Sequence, residues 1–125
     1  MKIAILGKIH PDGLEFLRSK NFEVLEINSF EENKLTPLIA DVEGIVIRTA
    51  NLKENLLSKC KNLKIVARHG VGYDNIDLEY INNKCIALAI TGQSNAVSVA
   101  EHVMTMMLTL SKNIFASDSL TRSNG

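Results

Sequence analysis

Three short stretches of this sequence combine residue types suited to holding an organic acid. Ile45-Val-Ile-Arg48-Thr49 ends an apolar run in a guanidinium. Its planar fork can pair with carboxylate or phosphate through two parallel hydrogen bonds, where a lysine offers only a point charge. Arg68-His-Gly70-Val71-Gly72 closes a second run with two glycines around a valine. Glycine reaches backbone angles closed to other residues, and consecutive N–H groups brought together make a concave anion cradle. Gly92-Gln-Ser-Asn95 closes a third run. A carboxylate suits the Gly70–Gly72 turn, with Arg48 as a second grip. Each feature alone has a plainer explanation, since turns favour glycine and a lone arginine is more often a surface ion-pair residue.

The other polar residues read as structural. His102 sits among apolar neighbours and is expected to be a packed, hydrogen-bonded histidine, while His10 and His69 are loop residues with no assigned chemistry. Asp74, Asn75 and Asp77 have the character of turn and cap residues, whose short side chains satisfy free backbone N–H groups. Cys60 and Cys85 lack CxxC or Cys/His spacing and lie within or beside apolar segments. Both are expected to behave as small hydrophobes, with no metal site.

Five apolar runs position these groups. Lys2–Leu6, Glu23–Ile27, Gly44–Ile47, Leu63–Ala67 and Ile86–Ile90 read as strands, the second alternating as an edge strand does. Helical spacing fills the gaps after Pro11-Asp12-Gly13, from Leu52 to Cys60, and from Leu78 to Ile81 with Asp77 as cap. Thr36 before Pro37 predicts an N-cap followed by proline at the first helical position. Parallel neighbours need crossover connections, so the alternation predicts an α/β domain: a flavodoxin-like open parallel five-stranded sheet with helices on both faces. Ligands of such sheets bind beyond the carboxyl ends of the strands, where the three stretches fall.

A last helix differs. Ser98-Val-Ala-Glu101 has the form of a capping box, and from Val99 to Ile114 apolar residues point in nearly every direction rather than in one stripe. It expects partners on several sides. The polar tail from Ser117 to Gly125 is expected to be poorly ordered. The domain division is therefore 1–98 for the sheet domain and 99–125 for the helix and tail.

Bulk properties narrow the function classes. With 125 residues and 46% hydrophobic content, the chain has room for one core. Fourteen basic residues balance fourteen acidic ones, so no net field draws it to nucleic acid or to an anionic membrane. No apolar run reaches the roughly 18 to 20 residues of a bilayer span, and Met1–Leu6 leads directly into a strand, which predicts a cytoplasmic protein.

On the residues Asn62-Leu-Lys-Ile-Val-Ala-Arg-His-Gly-Val-Gly-Tyr-Asp-Asn-Ile-Asp77, the chain resembles the fourth-strand segment of the D-isomer-specific 2-hydroxyacid dehydrogenases (phosphoglycerate dehydrogenase-like). Asn95-Ala-Val-Ser-Val-Ala-Glu-His102 and the Met- and Leu-rich helix after it resemble that family's interdomain helix, and Ile45–Ala50 its third-strand end. The likeness covers nearly the whole chain up to Ile114. It implies the N-terminal substrate-binding domain of an NAD-dependent oxidoreductase acting on a small 2-hydroxy or 2-oxo acid such as 3-phosphoglycerate, glycerate or glyoxylate. By the resemblance, the backbone of Gly70, Val71 and Gly72 meets the substrate carboxylate, and Arg48, Thr49 and Asn95 touch substrate. Val71 and Val99 border the cofactor. The family's catalytic arginine, glutamate and histidine have no counterpart here, His102 included. No Gly-x-Gly-x-x-Gly turn is present, so NAD is expected to be bound mainly by a domain missing from this chain, and the chain alone to be inactive. The exposed apolar helix at residues 99–114 predicts a homodimer.

Two rival readings were weighed. One is a non-catalytic, corepressor-like interaction module on the same scaffold. The other is a phosphoacceptor receiver, which needs clustered acids after the first strand and an aspartate ending the third. Gly7-Lys8 and Arg48 stand there instead.

Overall fold

The computed structural model describes residues 1–123. It divides between Gly92 and Gln93 into two compact units, each taken by itself below.

The first unit alternates β1 (Lys2–Leu6), α1 (Pro11–Ser19), β2 (Glu23–Ile27), α2 (Glu32–Ile39), β3 (Gly44–Ile47), α3 (Glu54–Leu57), β4 (Ile65–Arg68), α4 (Leu78–Asn83) and β5 (Ala87–Ile90). All neighbours pair parallel in the order β2-β1-β3-β4-β5, the flavodoxin-like order. Successive side chains of a strand point to opposite faces. Ala4, Leu6, Ile45, Ile47 and Val66 therefore share one face, where they pack against Leu35 and Ile39 of α2, Leu56 and Leu57 of α3 and Ile81 of α4 in a single buried cluster. Ile3 and Ile5 are buried on the opposite face. There, Ile9, His10 and Gly13 from the start of α1 and the loop before it border a groove floored by Val46, Ala67 and Ala89. The two edges differ: β2 carries Glu23 and Glu26, whereas β5 is Ala-Leu-Ala-Ile, with three of its four residues exposed.

Helix starts follow local chemistry. Pro11 opens α1, where its missing N–H costs nothing, and the His10 Nδ1 accepts from the Asp12 N–H. Asp77 caps α4 by accepting from the Tyr80 N–H at 3.0 Å, as expected. Thr36 does not cap a helix. α2 begins four residues earlier, with the Lys34 and Leu35 N–H groups donating to the Glu31 carbonyl, and Pro37 lies inside it. Burial of both Leu35 and Ile39, four residues apart on one face, offsets the hydrogen bond the proline removes.

The second unit is helical: α5 (Ala96–Ser111) and α6 (Ile114–Ser123). The Ser98–Glu101 capping box does not form, because the helix already starts at Ala96 with the Val99 N–H donating to the Asn95 carbonyl, which leaves both residues inside it. Nor does one helix run to Ile114. Asn113 takes a left-handed conformation, φ 48°, which ends α5. The tail, expected to be poorly ordered, is helical through Ser123, braced by the Asp118–Arg122 pair one turn apart. Its last two residues lie outside the described ones. No described helix is long and apolar enough to cross a membrane.

Candidate functional site

Strand registers place the chemistry-bearing residues in one row. Leu6 pairs with Ile27 and Ile47, Ile47 with Arg68, and Arg68 with Ile90. The residues immediately beyond these, Asn28, Gly7, Arg48, His69 and Thr91, consequently line up across the carboxyl edge of the sheet, about 4.8 Å apart from strand to strand. The His69 N–H donates to the Ile47 carbonyl at 2.8 Å and the Gly7 N–H to the Ile27 carbonyl at 3.1 Å, so the ladder continues into the row. Arg48 and the Gly70–Gly72 loop thus leave neighbouring strands at the same edge.

The loop after β4 is tied down at its far end. Leu52 and Ile76 form a parallel bridge, with the Leu52 N–H donating to the Asn75 carbonyl and the Asp77 N–H to the Leu52 carbonyl. The Asn75 amide donates to the Ala50 carbonyl, and the Lys53 ammonium to the Asp74 carbonyl. The segments after β3 and β4 are therefore clamped together on both sides of the glycines.

Within the loop the three amides differ. Gly70 has φ +153°, a conformation that side chains rarely adopt, and its N–H turns back to the Arg68 carbonyl at 2.9 Å. The Arg68 guanidinium folds over it: Nη1 donates to the His69 carbonyl, and a Cβ at residue 70 would collide with the guanidinium. Gly70 therefore shapes the loop with its N–H already engaged, rather than offering it. The N–H groups of Val71 and Gly72 donate to no acceptor among the described residues. Gly72 does not use the left-handed region that the sequence reading gave to both glycines; a Cβ there would meet only Asp74 Oδ2, at 3.4 Å. Val71 is 40% exposed. The cradle is the pair Val71–Gly72.

Arg48 serves a different hollow. With Gly7, Lys8, Asn28, Phe30 and Thr49 it lines a cavity of about 330 Å³ on the β1–β2 side of β3. Gly7 makes room for it, with φ +100° and the Phe30 ring 3.7 Å from where a Cβ would stand. Thr49 also borders a neighbouring hollow that includes Lys53 and Asn55. Asn95 and Val99 belong to the second unit, Asn95 before the first turn of α5 with no side-chain cap bond and Val99 exposed on that helix.

Sequence reasoning passed over Arg68, Lys8, Asn28 and Phe30. Arg68 ends a strand and gives no signal of its own, yet its Nε is buried without a partner among the described residues. Lys8 and Asn28 become legible only with the register, which sets the ends of β1 and β2 beside Arg48. The cysteines also divide. Cys60 is buried, its thiol donating to the Leu56 carbonyl at 3.6 Å and pushed by burial from 9.0 up to about 11. Cys85, expected to behave as a small hydrophobe, is exposed because it takes the left-handed position after α4, φ 53°. No group of three potential metal-ligating side chains occurs among the described residues.

This architecture can be set beside known proteins. A family model described as D-isomer specific 2-hydroxyacid dehydrogenase, catalytic domain, matches residues 3–123. The hydroxypyruvate reductase of Thermotoga maritima is 38% identical over 97 residues, which is 75% of this chain and 32% of that protein. The PH0520 protein of Pyrococcus horikoshii superposes with a TM-score of 0.87 at 27% identity, over 98% of this chain and 37% of its own. A 3-phosphoglycerate dehydrogenase of Entamoeba histolytica with bound NAD+ superposes with a TM-score of 0.74 at 28% identity, over 87% of this chain and 38% of its own. The chain spans 21–32% of the length of the first curated relatives it matches. By fold, strand order and the extent of the family match, this chain belongs to the D-isomer specific 2-hydroxyacid dehydrogenases, as their catalytic-domain region.

Proposed function

We propose that this chain binds and orients a small 2-hydroxy or 2-oxo acid for an NAD-dependent oxidoreductase reaction, with 3-phosphoglycerate, glycerate or glyoxylate as the substrate class. The observation that carries the reading is the pair of open N–H groups at Val71 and Gly72, one strand from the Arg48 guanidinium at the same sheet edge. A carboxylate accepting from two backbone N–H groups is held by charge-assisted bonds, and these need no side chain that a substitution could alter. Arg48, Thr49 and Asn95 are assigned to the substrate, and Val71 and Val99 to the border of the nicotinamide.

The described residues do not fit the rest of a dinucleotide. The loop after β1 is Gly-Lys-Ile-His, and α1 opens with Pro11 and Asp12, which puts a carboxylate where a pyrophosphate would need N–H groups. No step through the cofactor is therefore assigned to these residues. The chain alone should turn over no substrate.

The test is a titration of the 15N-labelled 125-residue chain with glycerate, alongside an assay of NADH oxidation. Shifts of the Val71 and Gly72 amides without turnover are expected. Absence of those shifts overturns the carboxylate assignment. Turnover of glyoxylate, hydroxypyruvate or 3-phosphohydroxypyruvate above an Arg48→Met variant overturns the assignment of catalysis to residues outside the chain.

The same reading places a homodimer contact on the helix over residues 99–114. No residue of α5 is buried, and Met104, Met107, Leu108 and Leu110 are each more than half exposed. Fully burying one such side chain is worth about 1.5–3 kcal/mol.

A further inference from the structure

We propose that Lys8 and Arg48 together form a subsite for a phosphate monoester, so that the acid held by this chain is a phosphorylated one. The proposal rests on the carboxylate reading above and adds to it the chemistry at the other end of the substrate. Its basis is the cavity of about 330 Å³ beyond β1, β2 and β3. Two of the residues lining it are cations and none is an acid. Neither cation has an ion pair or hydrogen bond among the described residues, whereas Lys2, Arg18, Lys34, Lys64 and Arg122 each have a carboxylate partner.

Two like charges from adjacent strand ends repel each other, and a dianion between them removes the repulsion. The register sets Gly7 beside Arg48, so Lys8 follows one residue beyond the row. The guanidinium presents a fork that matches two phosphate oxygens, and the ammonium supplies a point charge for the third. Asn28 and Thr49 add neutral donors, and the Phe30 ring walls the cavity beside Gly7. Arg48 lies one strand from the loop that carries Val71 and Gly72. That spacing, about 5 Å, is within reach of a three-carbon acid with a carboxylate at one end and a phosphate at the other. An unphosphorylated hydroxy acid would leave both cations without a counter-charge.

The test compares 3-phosphoglycerate, glycerate and inorganic phosphate as ligands of the 15N-labelled chain, wild type and Lys8→Met. Inorganic phosphate should shift Gly7, Lys8 and Thr49 alone. 3-Phosphoglycerate should shift these together with Val71 and Gly72, and bind about tenfold or more tightly than glycerate. Lys8→Met should remove most of that advantage and leave glycerate binding unchanged, and Lys8→Arg should retain it. Lys8 is exposed, so an unchanged spectrum outside the cavity certifies the fold of each variant. Equal affinity for 3-phosphoglycerate and glycerate, or an advantage that survives Lys8→Met, overturns the subsite while leaving the carboxylate cradle standing. Loss of the glycerate shifts at Val71 and Gly72 in the wild type overturns the cradle, and the subsite assignment with it.

Discussion

Replacing Gly70 by alanine isolates the backbone conformation on which the cradle depends. At φ +153° an alanine is held in a region that is sparsely populated for any residue with a Cβ, at a cost of about 1–3 kcal/mol. The Arg68 guanidinium must also swing aside, which is inexpensive for the end of a flexible side chain. With a urea slope of about 1.5 kcal/mol/M for a domain of this size, the midpoint should fall by roughly 1–2 M. Both tyrosines, Tyr73 and Tyr80, lie in the 1–92 unit and the chain has no tryptophan, so tyrosine fluorescence reports the unfolding of that unit alone. Gly72→Ala is the control. Its φ is not left-handed and the nearest atom to an added Cβ is at 3.4 Å, so its midpoint should stay within about 0.5 kcal/mol of wild type. Repeating Gly70→Ala in an Arg68→Ala background separates strain from collision, because only strain persists there. A Gly70→Ala midpoint within about 0.3 M of wild type, or full recovery in the Arg68→Ala background, would refute the backbone argument.

Other consequences can be measured on the same chain. Asp77→Ala removes the acceptor of the Tyr80 N–H and should cost about 1 kcal/mol, whereas Asp77→Asn should cost only a few tenths; equal losses would deny the cap its role. The Cys60 thiol, raised to about 11, keeps its proton in the folded chain over pH values where the unfolded chain releases it. Stability from this group is complete below pH 9 and is lost as pH rises through about 11, and Cys60→Ala should flatten that segment of the profile. Light scattering should show a dimer that Met104→Lys with Leu108→Lys converts to monomer; a wild-type monomer at high concentration counts against the helix contact.

The fold was legible because each strand announced itself locally. Gly44–Ile47 is a strand at its expected bounds, and Asp77 caps the helix it was expected to cap. Helix starts were less legible where two local signals competed with packing. Thr36-Pro37 and Ser98-x-x-Glu101 are both good caps in isolation, but the buried positions of Leu35 and Ile39 fix one helix and the Asn95 carbonyl starts the other. The site divided in the same way. The glycines and Arg48 stand out as residue types, yet the engagement of the Gly70 N–H, the lid of Arg68 and the presence of Lys8 beside Arg48 depend on φ angles and register, which a linear sequence does not display.

The unlike edges of the sheet bear on how the molecule behaves when crowded. Along β2, Glu23 and Glu26 surround the outward-facing amides and carbonyls with negative charge, so a second such ribbon is turned away. Along β5 the equivalent groups are flanked only by alanine, leucine and isoleucine. Main-chain zippering between molecules, wherever it starts, has an unguarded docking rail on that side alone.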